Sequence, residues 1–216
     1  MKKITLLSFL LFVFIFSSFS QNEKSFRIGL HGSPSLAWLK PETKPYESKG
    51  LRLGFGYGLI AEITLADNYS FATGIESVYS GGKLQNVDTT GTTTGTYRVQ
   101  YLEIPLCLKM KTNEINYITY FAKFGGGING RLRSFADYKY KDLLGNESSL
   151  LDVDINKDIN LFRISFVIGL GIEYSLGGST TALLGVNFNN GLTDIFKDKN
   201  IKAKNNFITV NLGIIF

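Results

Sequence analysis

The chain contains one histidine, His31, and two serines, Ser33 and Ser35, follow it at alternate positions. A histidine that takes the proton of a serine hydroxyl is the heart of many hydrolases, including lipid-modifying enzymes of bacterial membranes. In an extended chain, residues two apart are separated by roughly 6.6 Å, which works against a direct hydrogen bond. A lone histidine also rules out a two-histidine metal site. Further on, Asp152, Asp154, Asn156 and Asp158 place oxygen-bearing side chains at alternate positions, as the start of a calcium loop does. Lys157 stands where such a loop needs glycine, and Arg163 where it needs a bidentate acid, so the run reads as a solvated acidic loop. Gly125 to Gly127 suggest a phosphate-binding turn, but no helix-forming sequence follows them. Glycines in a tightly curved strand explain them better. The expectation is a chain with no catalytic, cofactor-binding or metal-binding residues, and no enzyme.

The elements that must carry these side chains are stretches with a period of two, the mark of strands rather than helices. In "YLEIPLCLKMK", residues 101–111, Leu102, Ile104, Leu106, Leu108 and Met110 form one face. Glu103, Pro105, Cys107, Lys109 and Lys111 form the other. The same separation appears in eight stretches, namely residues 25–39, 51–65, 69–80, about 97–111, 117–133, 161–175, 180–189 and the run to Phe216. Their polar faces hold Gly, Ser, Thr and Asn with isolated charges: Arg27, Arg52, Glu62, Glu76, Glu103, Lys109, Lys123, Arg131, Arg133, Arg163 and Glu173. A soluble sheet would show water a Lys- and Glu-rich face. Small residues instead suit a confined interior, which makes the apolar face the lipid face.

Length and ends agree. The 216 residues open with "MKKITLLSFLLFVFIFSSFSQ", two lysines, an apolar run and small residues before Gln21. This is the pattern of a secretory signal peptide over residues 1–20, leaving a barrel domain over residues 21–216. No cysteine lies near the cleavage point, so a lipid anchor there is excluded, and Cys107, the only cysteine, has no disulfide partner. Removing Lys2 and Lys3 leaves 21 basic against 18 acidic residues, too even a balance to favour nucleic acid.

Connections alternate in length. "PETKPYESKG", "GGKLQNVDTTGTTTGT", the segment 134–158 and "NGLTDIFKDKNIKAKN" are long and polar, and "TTGTTTGT" reads as a mobile loop. Between them come the short "ADN", "TNEI" and "LGGS". The expected fold is therefore all-β: an eight-stranded antiparallel up-and-down transmembrane β-barrel of the outer membrane, with long extracellular loops and short periplasmic turns. Hydrocarbon demands that every backbone group be paired internally, and closure achieves this for strands. Eight strands leave room only for side chains, so the interior should be filled with paired charges rather than open. Trp38, Tyr79 and Tyr97 should mark the loop-side interface; Phe26, Phe71, Tyr117, Tyr174 and Phe216 the turn side. Pro105 cannot donate to a ladder and a closed barrel has no free edge, which predicts a bulge or a lost hydrogen bond.

"YLEIPLCLK" resembles the fourth-strand motif of the PorT-like outer-membrane β-barrel proteins of the Bacteroidetes, and "FGGGINGRL" and "FVIGLGIEYSL" are similar to their glycine-rich strands. "ITVNLGIIF", ending in Phe216, resembles the signal by which the barrel-assembly machinery recognises its clients. The resemblance implies an outer-membrane barrel, without one agreed activity. The expected partners are outer-membrane lipid, the assembly machinery at the strand ending in Phe216, and a protein partner at the extracellular loops, with no nucleic acid and a monomeric state. The rival readings are a small-solute channel, a secreted lipocalin-like binder with its apolar face inward, and a lipid-modifying hydrolase.

Overall fold

The computed structural model describes residues 26–198 and 200–216. The signal peptide expected over residues 1–20 lies outside the described residues. Ten strands follow one another: β1 (Phe26–Pro41), β2 (Tyr46–Ser48), β3 (Arg52–Ala66), β4 (Tyr69–Val87), β5 (Gly91–Lys111), β6 (Ile118–Asp142), β7 (Glu147–Asp154), β8 (Phe162–Gly177), β9 (Thr180–Gly191) and β10 (Ala203–Ile215). Eight of them pair in the ring β1-β3-β4-β5-β6-β8-β9-β10, and the β1–β10 pairing closes it. All the pairings are antiparallel, while β2 adds to β4 and β7 to β6 outside the ring.

Closure turns the alternation of the sequence into two environments. Leu102, Ile104 and Leu106 are exposed on the outer wall, while Glu103 and Lys109 are almost fully buried inside. Phe26, Ile28, Leu30, Leu53, Leu59, Ile164, Leu170 and Leu212 likewise face out. The lipocalin-like arrangement, with the grease inside, is not the one adopted.

Two-residue connections join β3 to β4 and β8 to β9 at one end. At that same end Asn116 and Tyr117, both at positive φ, make the tight turn of the β5–β6 connection, with Ile115 and Ile118 exchanging backbone hydrogen bonds. The opposite, extracellular end differs from expectation. β4, β5 and β6 run for 19, 21 and 25 residues against 12 in β9. All of "TTGTTTGT" beyond its first two threonines is therefore strand and not a mobile loop: Thr92, Thr93, Thr94 and Thr96 pair with β4 and β6 on both sides. β-branched residues favour the pleat, and the sequence of turn-like Gly and Thr concealed it. Most of the segment 134–158 is likewise hairpin, formed by upper β6 and β7. At about 3.3 Å per residue, β6 outruns β9 by about 40 Å along the strand.

Two faces also need correcting. The β5–β6 register shifts between Gln100 and Tyr101, whose partners are Arg133 and Arg131. Leu132 is the extra residue of that bulge, and one inserted residue reverses the faces beyond it. Arg133, expected inside, is exposed, and Ser134 is buried. Tyr97 is not an interface residue but is buried inside the barrel, on the same face of β5 as Tyr101 and Glu103. Of the two outcomes expected at Pro105, the structure shows the lost pairing: the β4 ladder keeps its register but skips Ile104 and Pro105, while the β6 ladder continues through Gly127.

Candidate functional site

The charged side chains that the alternation sends inward meet in two clusters. At the turn end, Arg27 of β1 lies opposite Glu62 of β3 in the register, and both reach the lumen beside Lys109 and Lys111 of β5 and Glu173 of β8. Lys109 donates to Glu62 and to Glu173. Lys111 Nζ donates to Glu62 at 2.9 Å and to Glu173 at 3.2 Å, and Arg27 bridges the same two acids. Three cations thus share two carboxylates, each nearly sealed from solvent. Charges this deep are tolerated when their mutual attraction and hydrogen bonds offset lost hydration. Lys109 also lies 4.2 Å from the centroid of the Phe121 ring. Gly171 makes room for that ring, because a Cβ there would collide with it.

Higher in the lumen, Ser33 Oγ donates to Glu76 at 2.6 Å, and His31 Nε2 lies 3.9 Å from the same carboxylate. The His31 and Ser33 side chains therefore meet at Glu76 and form no nucleophile pair. Glu103 accepts from Asn189 Nδ2 at 3.0 and 3.2 Å. Arg163, buried completely, donates to Asn189 Oδ1 and to the Asn205 carbonyl, with its guanidinium 5.7 Å from the Tyr101 ring and 5.3 Å from the Phe207 ring. Gly127 serves this layer, since a Cβ there would come within 2.9 Å of Glu103. Between the two clusters remains a cavity of about 60 Å³ whose lining includes His31, Glu76, Glu103, Cys107 and Lys123. That exceeds the roughly 10–15 Å³ a polar cavity needs to hold a water.

The loop end is closed by a layer that the sequence did not announce. Leu39, Leu84, Tyr97 and Tyr101 from the wall pack with Ile155, Ile159, Ile195 and Phe196 from the β7–β8 and β9–β10 connections. Tyr97 meets Phe196 edge to face at 5.1 Å and Tyr138 at 6.1 Å. Its wall half was present in the inward parity of Leu84, Tyr97, Val99 and Tyr101. The loop half gave no periodic signal.

The acidic run does not converge on one point. Asp152 takes Arg98 at 2.6 Å, Asp154 accepts the Asn156 amide at 2.8 Å, and Asn156 Oδ1 accepts from Arg131 and from Ser134. Among the described residues no group of three or more His, Cys, Asp or Glu is arranged to hold a metal ion.

Neisserial surface protein A is similar over 88% of this chain and 95% of its own, at 11% identity and a TM-score of 0.49. The outer membrane protein OprG of Pseudomonas aeruginosa is similar over 89% of this chain and 96% of its own, at 12% identity and a TM-score of 0.46. No curated protein matches in sequence. The family model described as outer membrane protein beta-barrel domain matches residues 19–197, most of the chain, so with its closed ring and outward apolar face this protein belongs to that family of the outer membrane.

Proposed function

We propose that this outer-membrane barrel serves as a sealed, non-enzymatic wall element whose interactions are made by its extracellular part. The observation that carries this is the filling of the lumen at both ends: an ion cluster of Arg27, Glu62, Lys109, Lys111 and Glu173 below, and an apolar stopper around Tyr97 and Phe196 above. The extended strands β4, β5 and β6, flanked by β2 and β7, present a five-stranded sheet beyond the bilayer, the natural surface for a protein partner. The narrower assignments belong with this reading. They are a signal peptide removed near Gln21, a barrel domain from there to Phe216, a PorT-like branch on the strength of "YLEIPLCLK", assembly through the strand ending in Phe216, and a monomeric state.

Planar-bilayer recording on the purified, refolded protein tests the sealed lumen. We expect no stepwise conductance above the lipid baseline at neutral pH. Reproducible single-channel steps would establish the small-solute channel instead.

A further inference from the structure

We propose that the outer wall holds a site for one lipid with a net negative phosphate headgroup, its acyl chain in a groove beside Trp38 and its phosphate on the lysines above. The groove, of about 470 Å³, is lined by Leu36, Trp38, Ser48, Gly50, Leu51 and Ile208. Its size lies within the range of about 300–1,000 Å³ typical of small-molecule pockets. Leu36 and Ile208 are cross-strand partners exposed on the lipid face. Trp38, two residues further along the same face, stacks on Phe188 with ring centroids 6.2 Å apart and planes at 14°. An indole in this position belongs to the boundary between hydrocarbon and headgroups.

Directly above Trp38 the wall becomes cationic. Lys40 and Lys204 are cross-strand partners in the β1–β10 register. Like charges placed opposite each other on one face are destabilising unless an anion intervenes. One anion is built in: Glu42 accepts from Lys204 at 2.7 Å. The Glu42 amide donates to the Lys202 carbonyl at 2.8 Å, which sets this acid at the end of the β1–β10 ladder beside Lys40, Lys202 and Lys204. Only Lys204 bonds that carboxylate, and the exposed side chains of Lys40 and Lys202 form no salt bridge among the described residues. Even counting Asp194, whose charge also acts on Lys204, the cluster keeps an excess of positive charge at the height of lipid phosphates and over an apolar groove. A lipid satisfies both halves at once, whereas a free phosphate ion would leave the groove unused.

A second groove on the wall separates this site from general lipid contact. It is larger, about 860 Å³, and runs past Gly32 among Leu30, Tyr57, Leu59, Leu212 and Phe216. No lysine or arginine lines it, so it lacks the cationic cluster that would select an anionic headgroup.

Trp38 is the only tryptophan, so its fluorescence reports this site alone. The protein is refolded into phosphatidylcholine vesicles containing a rising fraction of a chain-brominated quencher lipid, either phosphatidylglycerol or phosphatidylcholine with the same chains. Brominated phosphatidylglycerol is expected to half-quench Trp38 at a mole fraction about fivefold lower for each lysine engaged. The K40Q/K202Q double variant is expected to lose that preference while keeping its heat-modifiable gel mobility, since both side chains lie outside the wall. Coincident quenching curves for the two lipids in the wild type, or a preference that survives in K40Q/K202Q, would overturn the site. Abolition of the preference by inorganic phosphate, against sodium chloride of equal ionic strength, would also overturn it and assign the lysines to the free ion.

Discussion

Glu62 and Glu173 show how single residues hold this interior together. Each accepts from Arg27, Lys109 and Lys111, so the cluster carries one positive charge more than it has negative ones. Replacing an acid and replacing a base should therefore differ sharply. Glu62→Gln leaves three cations, the fully buried Lys109 among them, on one carboxylate, and breaking a buried pair in this way costs about 3–5 kcal/mol. Lys109→Met leaves two cations on two acids and keeps an apolar stem beside Phe121, so its cost should be the smaller. Urea unfolding of the refolded variants in vesicles gives the order, and a larger loss in Lys109→Met than in Glu62→Gln would contradict the charge count. The members of this cluster were legible in the sequence as the inward parity of four strands. That they meet at one height, separate from Glu76 and Glu103, was not, because the stagger between neighbouring strands is set by pairing and not by local sequence.

Among the elements, the extracellular hairpins are where the sequence misled. The β4–β5 connection shrinks to a turn over Asp88, whose Oδ1 accepts from Thr90 Oγ1 at 2.6 Å and from the amides of Thr90 and Gly91 at 2.8 and 3.0 Å. The hydroxyl of Thr90 and then these amides hold the carboxyl below its ordinary range. A carboxylate depressed in the folded state contributes stability above its unfolded pKa and loses it as the pH falls through the folded value. The turn should therefore be fully formed at neutral pH and loosen only in acid, below the ordinary Asp range. Amide protection of Thr90 and Gly91 checks this: wild type should exceed Asp88→Ala near pH 7, and the two should converge in strong acid. Equal protection at pH 7 would remove the carboxylate from the turn. The threonine run misled because its Gly and Thr content is that of a loop, while its β-branching is that of a strand. Pairing with β4 and β6 on either side settled the choice. The bulge at Leu132 had no sequence signal at all, since one extra residue is invisible until the partner strand is known.

At the scale of the molecule, the lumen is closed twice by unlike means. The turn end is closed by ions held between β1, β3, β5 and β8, and the loop end by apolar side chains drawn partly from connections. Two closures in series mean that removing either one should not open a path. Phe196→Ala, which takes the ring from Tyr97, is expected to lower stability by about 3–5 kcal/mol and yet to leave vesicles impermeable to small sugars in a swelling assay. Permeability appearing in Phe196→Ala alone would show that the ion cluster does not seal the barrel. The outer wall has its own gradation, from hydrocarbon-facing leucines through Trp38 to Lys40 and Lys204, which fixes the depth of the barrel in the bilayer.

Parity along each strand is a local property, and on the turn side of the Leu132 bulge it determined which side chains face lipid, which are buried, and that the sheet must close. Residues 101–111 are placed at that level: grease outside, Glu103 and Lys109 within. Only the tertiary structure decided which inward charges meet, where Leu132 reverses the faces, how far β4, β5 and β6 project, and that Tyr97 stops the loop end. Each of these depends on register between strands, or on loops folding back into the lumen, and both arise from contacts between residues far apart in the chain.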